Sequence, residues 1–211
     1  MLFNLALTLF AVLGFSCAPQ KGPQEKSFWI WFQSNQEALL KVKSGREEIC
    51  NELTRQMKGL NPNLVYEFGP VGNDRREFTI SADGIKESFP AVEALYAAAP
   101  VLPKWKILKF RQRREPVGIS LRGTSVEADS VAVAVKKVGE KADVIVYIPG
   151  APENDRDIYG SIAFLMLDQT LGEYDVETLI GEVQIMPASR ALEKTYSLKE
   201  LPKVIDGMFV H

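Results

Sequence analysis

Between Leu64 and Arg114 the apolar positions change their spacing twice. From Leu64 to Pro70 and again from Glu77 to Ile80, β-branched and aromatic residues alternate with polar ones, the period-two signature of a strand with one buried face. Gly69-Pro70 and Gly72-Asn73-Asp74 supply turn chemistry between the two runs. Helical spacing follows from Phe89 to Ala99, and Trp105 to Phe110 returns to alternation. This stretch predicts strand, turn, strand, helix, strand.

The same order recurs further on. Gly118 to Gly123 predicts one short strand. Val131–Val135 and Asp143–Ile148 predict a hairpin that turns within 136–142, at Gly139. Asn154 or Asp155 is placed to cap a helix that ends at Gly172, and Leu179 to Met186 reads as a closing strand. No residue identity links the halves, so the repeat is one of pattern. A last helix is expected from Ser197, with Glu200 completing a capping box, Tyr196 stapling onto Leu201 and Pro202 close to the start. Hairpins followed by a single crossover helix imply an α+β fold: a mixed, largely antiparallel sheet of two strand-strand-helix-strand units, preceded by helices.

The first of those helices is expected from about Ser27 towards Val42, with Phe28, Trp31, Phe32, Leu39 and Val42 on one face and Trp29 off it. That aromatic run fits core packing better than an interfacial belt. Ser44 and Glu47 form a capping box for a second helix that stops near Gly59, before Pro62. Cys50 falls in step with Ile49, Leu53, Met57 and Leu60, which makes it a small core residue rather than a reactive thiol.

Residues 1–17 differ from all that follows. No charge occurs from Leu2 to Phe15, a run shorter than the roughly 20 apolar residues a membrane span needs, and a secretory signal fits better. The Leu13-Gly14-Phe15-Ser16-Cys17 junction resembles a lipoprotein signal, with Cys17 as the lipid attachment site. It departs from that pattern at Gly14 and Phe15 and in lacking Lys or Arg near Met1, so ordinary cleavage, an uncleaved anchor and a misassigned start stay open. The expected organisation is a signal over 1–17, a tether over 18–26 and one α+β domain over 27–211.

Charge and residue inventory remove several function classes. With 25 basic and 27 acidic side chains there is no basic excess for nucleic acid. The only histidine is His211, which excludes Ser-His-Asp and Cys-His nucleophile systems, and two cysteines cannot build a thiolate metal centre. No phosphate-binding or dinucleotide loop occurs, so no cofactor and no metal are expected. What remains is carboxylates: Asp83 in Ser81-Ala82-Asp83-Gly84, and Asp168, Glu173, Asp175 and Glu177 around Leu171–Asp175. Such pairs divide acid and base roles only where their environments separate them, and at corners they are more often solvated turn residues. Lys109, Arg111 and Arg113 would form a cationic stripe on a strand, or a charged guard on an edge. If the two units pack head to tail, Asp83, Glu173 and Asp175 meet in one acidic corner, with Arg76 or Arg111 as the counter-charge and candidate binding groups.

Phe28-Trp29-Ile30-Trp31-Phe32, Tyr66–Pro70, Arg76–Gly84, Phe89-Pro90-Ala91-Val92 and Leu171–Asp175 together resemble an uncharacterised bacterial α+β family, over nearly all of Ser27 to Pro187. The resemblance implies no activity and no catalytic residues. The expected function is that of an exported, lipid-anchored, non-catalytic binding module of the cell envelope, held to the membrane by lipid, with a protein partner there and no nucleic acid. The alternatives are a small carboxylate-dependent hydrolase and a cytoplasmic protein with a misassigned start.

Overall fold

The computed structural model describes residues 22–43, 48–72, 75–191 and 194–209. The leader with Cys17, the Ser44–Glu47 capping box, the turn at 73–74 and His211 lie outside them.

Helix α1 (Pro23–Leu40) begins with proline in its first turn, where the missing N–H has no intrahelical partner to lose. Residues 23–26, expected as tether, are therefore helical. Trp29 also departs from expectation: it is 2% exposed and its indole N–H donates to the Leu95 carbonyl at 2.8 Å, while Trp31 is only half-buried. The buried residues Phe28, Trp29, Phe32 and Leu39 lie within about 100° of the helix circumference, one stripe turned towards Trp29 and away from Trp31. Helix α2 (Glu48–Leu60) buries Cys50, Leu53 and Met57 at helical spacing.

Strands β1 (Val65–Gly72) and β2 (Arg75–Ser81) pair antiparallel, with a register shift between Phe68 and Val71 where Gly69 and Pro70 sit. Helix α3 (Phe89–Ala97) then crosses to β3 (Trp105–Lys109), which pairs parallel with β2. The expected short strand near Gly118 is instead a hairpin, β4 (Ile119–Leu121) and β5 (Thr124–Val126). It turns at Arg122 and Gly123, both at positive φ (48° and 86°), which matches the strand twist better than an ordinary turn.

The second unit repeats the first. Strands β6 (Ala132–Val138) and β7 (Lys141–Ile148) are antiparallel, helix α4 (Ile158–Leu171) crosses, and β8 (Ile180–Pro187) pairs parallel with β7. The corner before β8 holds an unexpected short helix, α5 (Glu173–Leu179), whose first turn carries Glu173 and Asp175 as its dipole favours. Strand β9 (Tyr196–Ser197) adds to β6, and helix α6 (Leu201–Met208) closes the chain. The Ser197–Glu200 box does form: the Ser197 amide donates to the Glu200 carboxylate at 2.9 Å and the Glu200 amide to the Ser197 hydroxyl at 3.3 Å. The helix starts at Leu201 rather than Ser197, because Tyr196 and Ser197 are held extended by β6.

The result is the expected α+β fold, with sheet orders β1-β2-β3 and β8-β7-β6-β9. Each unit has its own core. Seventeen buried residues from Phe28 to Phe110 form one, and a set from Val126 to Ile205 forms the other.

Candidate functional site

The units are joined where β3 runs out. Phe110 takes a positive φ of 61°, its amide donates to the Ile80 carbonyl at 2.7 Å, and its buried ring packs on Phe89 with centroids 4.5 Å apart. The strand therefore ends at Lys109, and Lys109, Arg111 and Arg113 do not share a strand face. This removes the shared strand face on which the cationic stripe, one of the two readings of these residues, depended. Each cation meets carboxylates of its own chain instead: Lys109 pairs with Glu93 at 2.9 Å, and the two arginines with groups from both halves.

Glu173 is the centre of the junction. It is 0% exposed, and one carboxylate oxygen accepts from the Ala82 amide at 2.9 Å and the Gly84 amide at 3.2 Å. The other oxygen accepts from the Arg111 amide at 3.1 Å, and the Glu173 amide returns a bond to the Arg111 carbonyl at 3.0 Å. Glycine precedes it for a physical reason. Gly172 sits at φ 81°, and a Cβ there would lie 3.1 Å from the Arg111 carbonyl oxygen and 3.3 Å from the Arg113 nitrogen.

The Arg111 guanidinium is shared among three carboxylates. Its Nε lies 2.6 Å from Glu67, one terminal nitrogen 2.7 Å from Asp83, and the other 3.6 Å from Asp168, beyond hydrogen-bond reach. Burial disfavours its charge, but the hydrogen bonds to Asp83 and Glu67 outweigh that and hold its pKa above the usual range. Asp168 moves the other way. Burial pushes its pKa up to about 6, Arg111 opposes the shift, and Glu173, Glu177 and Asp83 add to it.

The structure thus brings together Asp83, Glu173 and Arg111, as the head-to-tail packing requires. Asp175 belongs to a neighbouring group, where Arg113 binds it at 2.6 Å, Asp206 at 2.7 Å and the Leu171 carbonyl at 2.9 Å. Arg76 is elsewhere: it donates to the Leu39 and Leu40 carbonyls at the end of α1 and lies 4.4 Å over the Phe68 ring. Glu67 and Asp206 were not singled out from the sequence. Glu67 had a readable signal, since alternation puts it opposite Thr79 on the polar face of the first sheet.

Two cavities flank the Arg111 segment. One, about 340 Å³, lies between Glu67 on β1 and Leu165 and Asp168 on α4. The other, about 640 Å³, is lined by Tyr96, Lys109, Phe110, Arg113, Tyr174 and Asp175. Among the described residues, no group of three or more His, Cys, Asp or Glu is placed to hold a metal ion. No described helix is long and apolar enough to cross a membrane.

A YcgL domain-containing protein of Pseudoalteromonas atlantica is 32% identical to this chain over 88 residues, which cover 93% of that relative and 33% of this chain. The chain belongs to the YcgL-domain family. That is a bacterial kinship over about a third of the chain, and the relative's name carries no activity. No family model matches the YcgL-related chain, and no solved structure matches it.

Proposed function

We propose that the protein is a non-catalytic binding module. The observation that carries this is the engagement of three carboxylates of the corner: both oxygens of Glu173 are taken by backbone amides, and Asp83 and Asp175 are each held by an arginine. A pair of carboxylates that divides acid and base work needs one group exposed to substrate and another tuned against it. Here the acidic corner fastens the two halves together, and binding falls to the cavities beside it. Chromogenic ester, phosphoester and glycoside substrates are expected to turn over no faster with the protein than with Asp168→Asn. Turnover that this variant loses would make the protein a hydrolase.

We further propose that the module works at the cell envelope, anchored by lipid on Cys17. The support is the uncharged apolar run that ends at Ser16-Cys17. A second reading, a cytoplasmic protein translated from a later start, is favoured by the early beginning of α1, which leaves only residues 18–22 as a spacer. Cell fractionation of wild type and Cys17→Ser, with intact-mass analysis, separates the two. Lipidated wild type in the membrane fraction supports the first, and unmodified soluble protein the second.

A further inference from the structure

We infer that the 640 Å³ cleft at the end of β3 is a binding site for a neutral saccharide. The inference rests on the reading of the protein as a binding module and names the ligand class for one of its cavities. Cavities of this volume fall in the range of small-ligand sites.

Two tyrosines stand in its lining, Tyr96 from α3 and Tyr174 from α5, at 40% and 47% exposure. Tyr174 is held rather than loose: its ring stacks on Phe89 at 5.7 Å and 24°, and meets Phe110 at 5.3 Å. A rigid aromatic ring, half in solvent and backed by two others, offers a flat apolar face at little entropic cost.

The polar part of the lining selects the ligand. Lys109 and Glu93 are paired at 2.9 Å, and Arg113 and Asp175 at 2.6 Å. Arg111, also in the lining, is held by Glu67 and Asp83, and Arg113 by Asp206 as well as Asp175, so each charged side chain already has a partner with which a phosphate or an ammonium would have to compete. A hydroxyl both donates and accepts, and can lie alongside a formed ion pair, accepting from the cation and donating to the carboxylate. Several hydroxyls on a ring with apolar C–H faces describe a sugar, whose C–H face would rest on tyrosine. A peptide segment fits less well. Its alternating amides need an open strand edge, and the Lys109 and Phe110 carbonyls are already taken by the Gln112 side-chain amide at 2.8 and 3.2 Å.

The test titrates the isotope-labelled full chain with maltotetraose, chitotetraose, tetraglycine and inorganic phosphate, following backbone amides by NMR. At least one tetrasaccharide should shift the amides of Lys109–Arg113 and Tyr174. Tyr174→Ala and Tyr96→Ala should each weaken that binding about tenfold. Tyr174→Phe keeps the ring and should stay within about threefold, and Val101→Ala, at a 94% exposed site off the cleft, should change nothing. If neither sugar shifts these amides, if both alanine variants bind as wild type, or if only tetraglycine or phosphate acts there, the assignment fails. Hydrolysis of a bound sugar would overturn the non-catalytic reading while leaving the site in place. Failure to bind sugar leaves that reading untouched.

Discussion

The two halves share a chain path and differ in what fills it. In the first, Phe78 is ringed by Trp29, Phe32, Tyr66, Phe68 and Trp105, with centroids between 4.9 and 6.4 Å. In the second, the fully buried cluster is aliphatic: Val133, Val144, Val146, Ile148, Ile162, Met166 and Leu167 among others. The first sheet carries α1 and α2 in addition to its crossover helix, and large rings fill the space among them. Residues of α4, α5 and α6 pack on the second, and most of the residues in its core are branched aliphatics with few rotamers. The two halves therefore share the pattern of polarity and turns that sets their topology, while the residues that fill their cores differ.

The largest expected effect breaks the link between the halves. Glu173→Ala strips a carboxylate from three amides and should cost about 3–6 kcal/mol, at about 1–2 kcal/mol for each donor left unsatisfied. Calorimetry should then resolve two transitions where wild type shows one. One unshifted transition would mean that the halves are not coupled there. Phe78→Ala should cost about 3–5 kcal/mol and Ile162→Ala about 2–4 kcal/mol, both residues being 0% exposed. In the Glu173→Ala background each should lower only its own half's transition, and a shift in both would show one cooperative core.

A smaller effect depends on pH. The Asp168 pKa is about 6 in the folded chain, above its ordinary 3.8, so the folded state holds this proton more tightly than the unfolded one. Its ionisation therefore lowers stability progressively from about pH 4 to pH 6 and by a constant amount above, up to about 3 kcal/mol. Asp168→Asn should flatten that window and gain about 1–3 kcal/mol at pH 7.5 in urea unfolding. A loss there would show that attraction to Arg111 exceeds the desolvation of Asp168. Smallest of all, Arg122→Asn should add about 0.5 kcal/mol, because asparagine tolerates the positive φ of the β4–β5 turn. A loss of stability would mean that the exposed Arg122–Asp157 pair, at 3.1 Å, matters more than the turn.

How far the sequence could be read depends on the range of the signal. Alternation and turn residues showed both hairpins and both crossover helices, since those signals are local. Trp29 was misplaced because the buried stripe of α1 is turned towards α3, where the indole bonds the Leu95 carbonyl, a contact 66 residues away in sequence. The shared strand face for Lys109, Arg111 and Arg113 failed at one residue: nothing in Phe110 announces a positive φ, which its ring packing and its bond to Ile80 impose. The meeting of Asp83, Glu173 and Arg111 was legible from head-to-tail packing, yet the separate seat of Asp175 was not. Which of Glu173 and Asp175 turns inward is decided by the helical turn of α5, and that short helix was not foreseen.

Among the described residues no strand pair joins the halves: β1, β2 and β3 bond among themselves, β4 bonds β5, and β6 to β9 bond among themselves. During synthesis the first sheet can close as soon as Lys109 has left the ribosome, with no strand still to come from downstream. Its Ala82, Gly84 and Arg111 amides then face water until Glu173, 62 residues beyond Arg111, is made and docks. The junction thus forms later than the first sheet, and an interruption of translation before α5 would leave a finished first half with an unsealed polar edge.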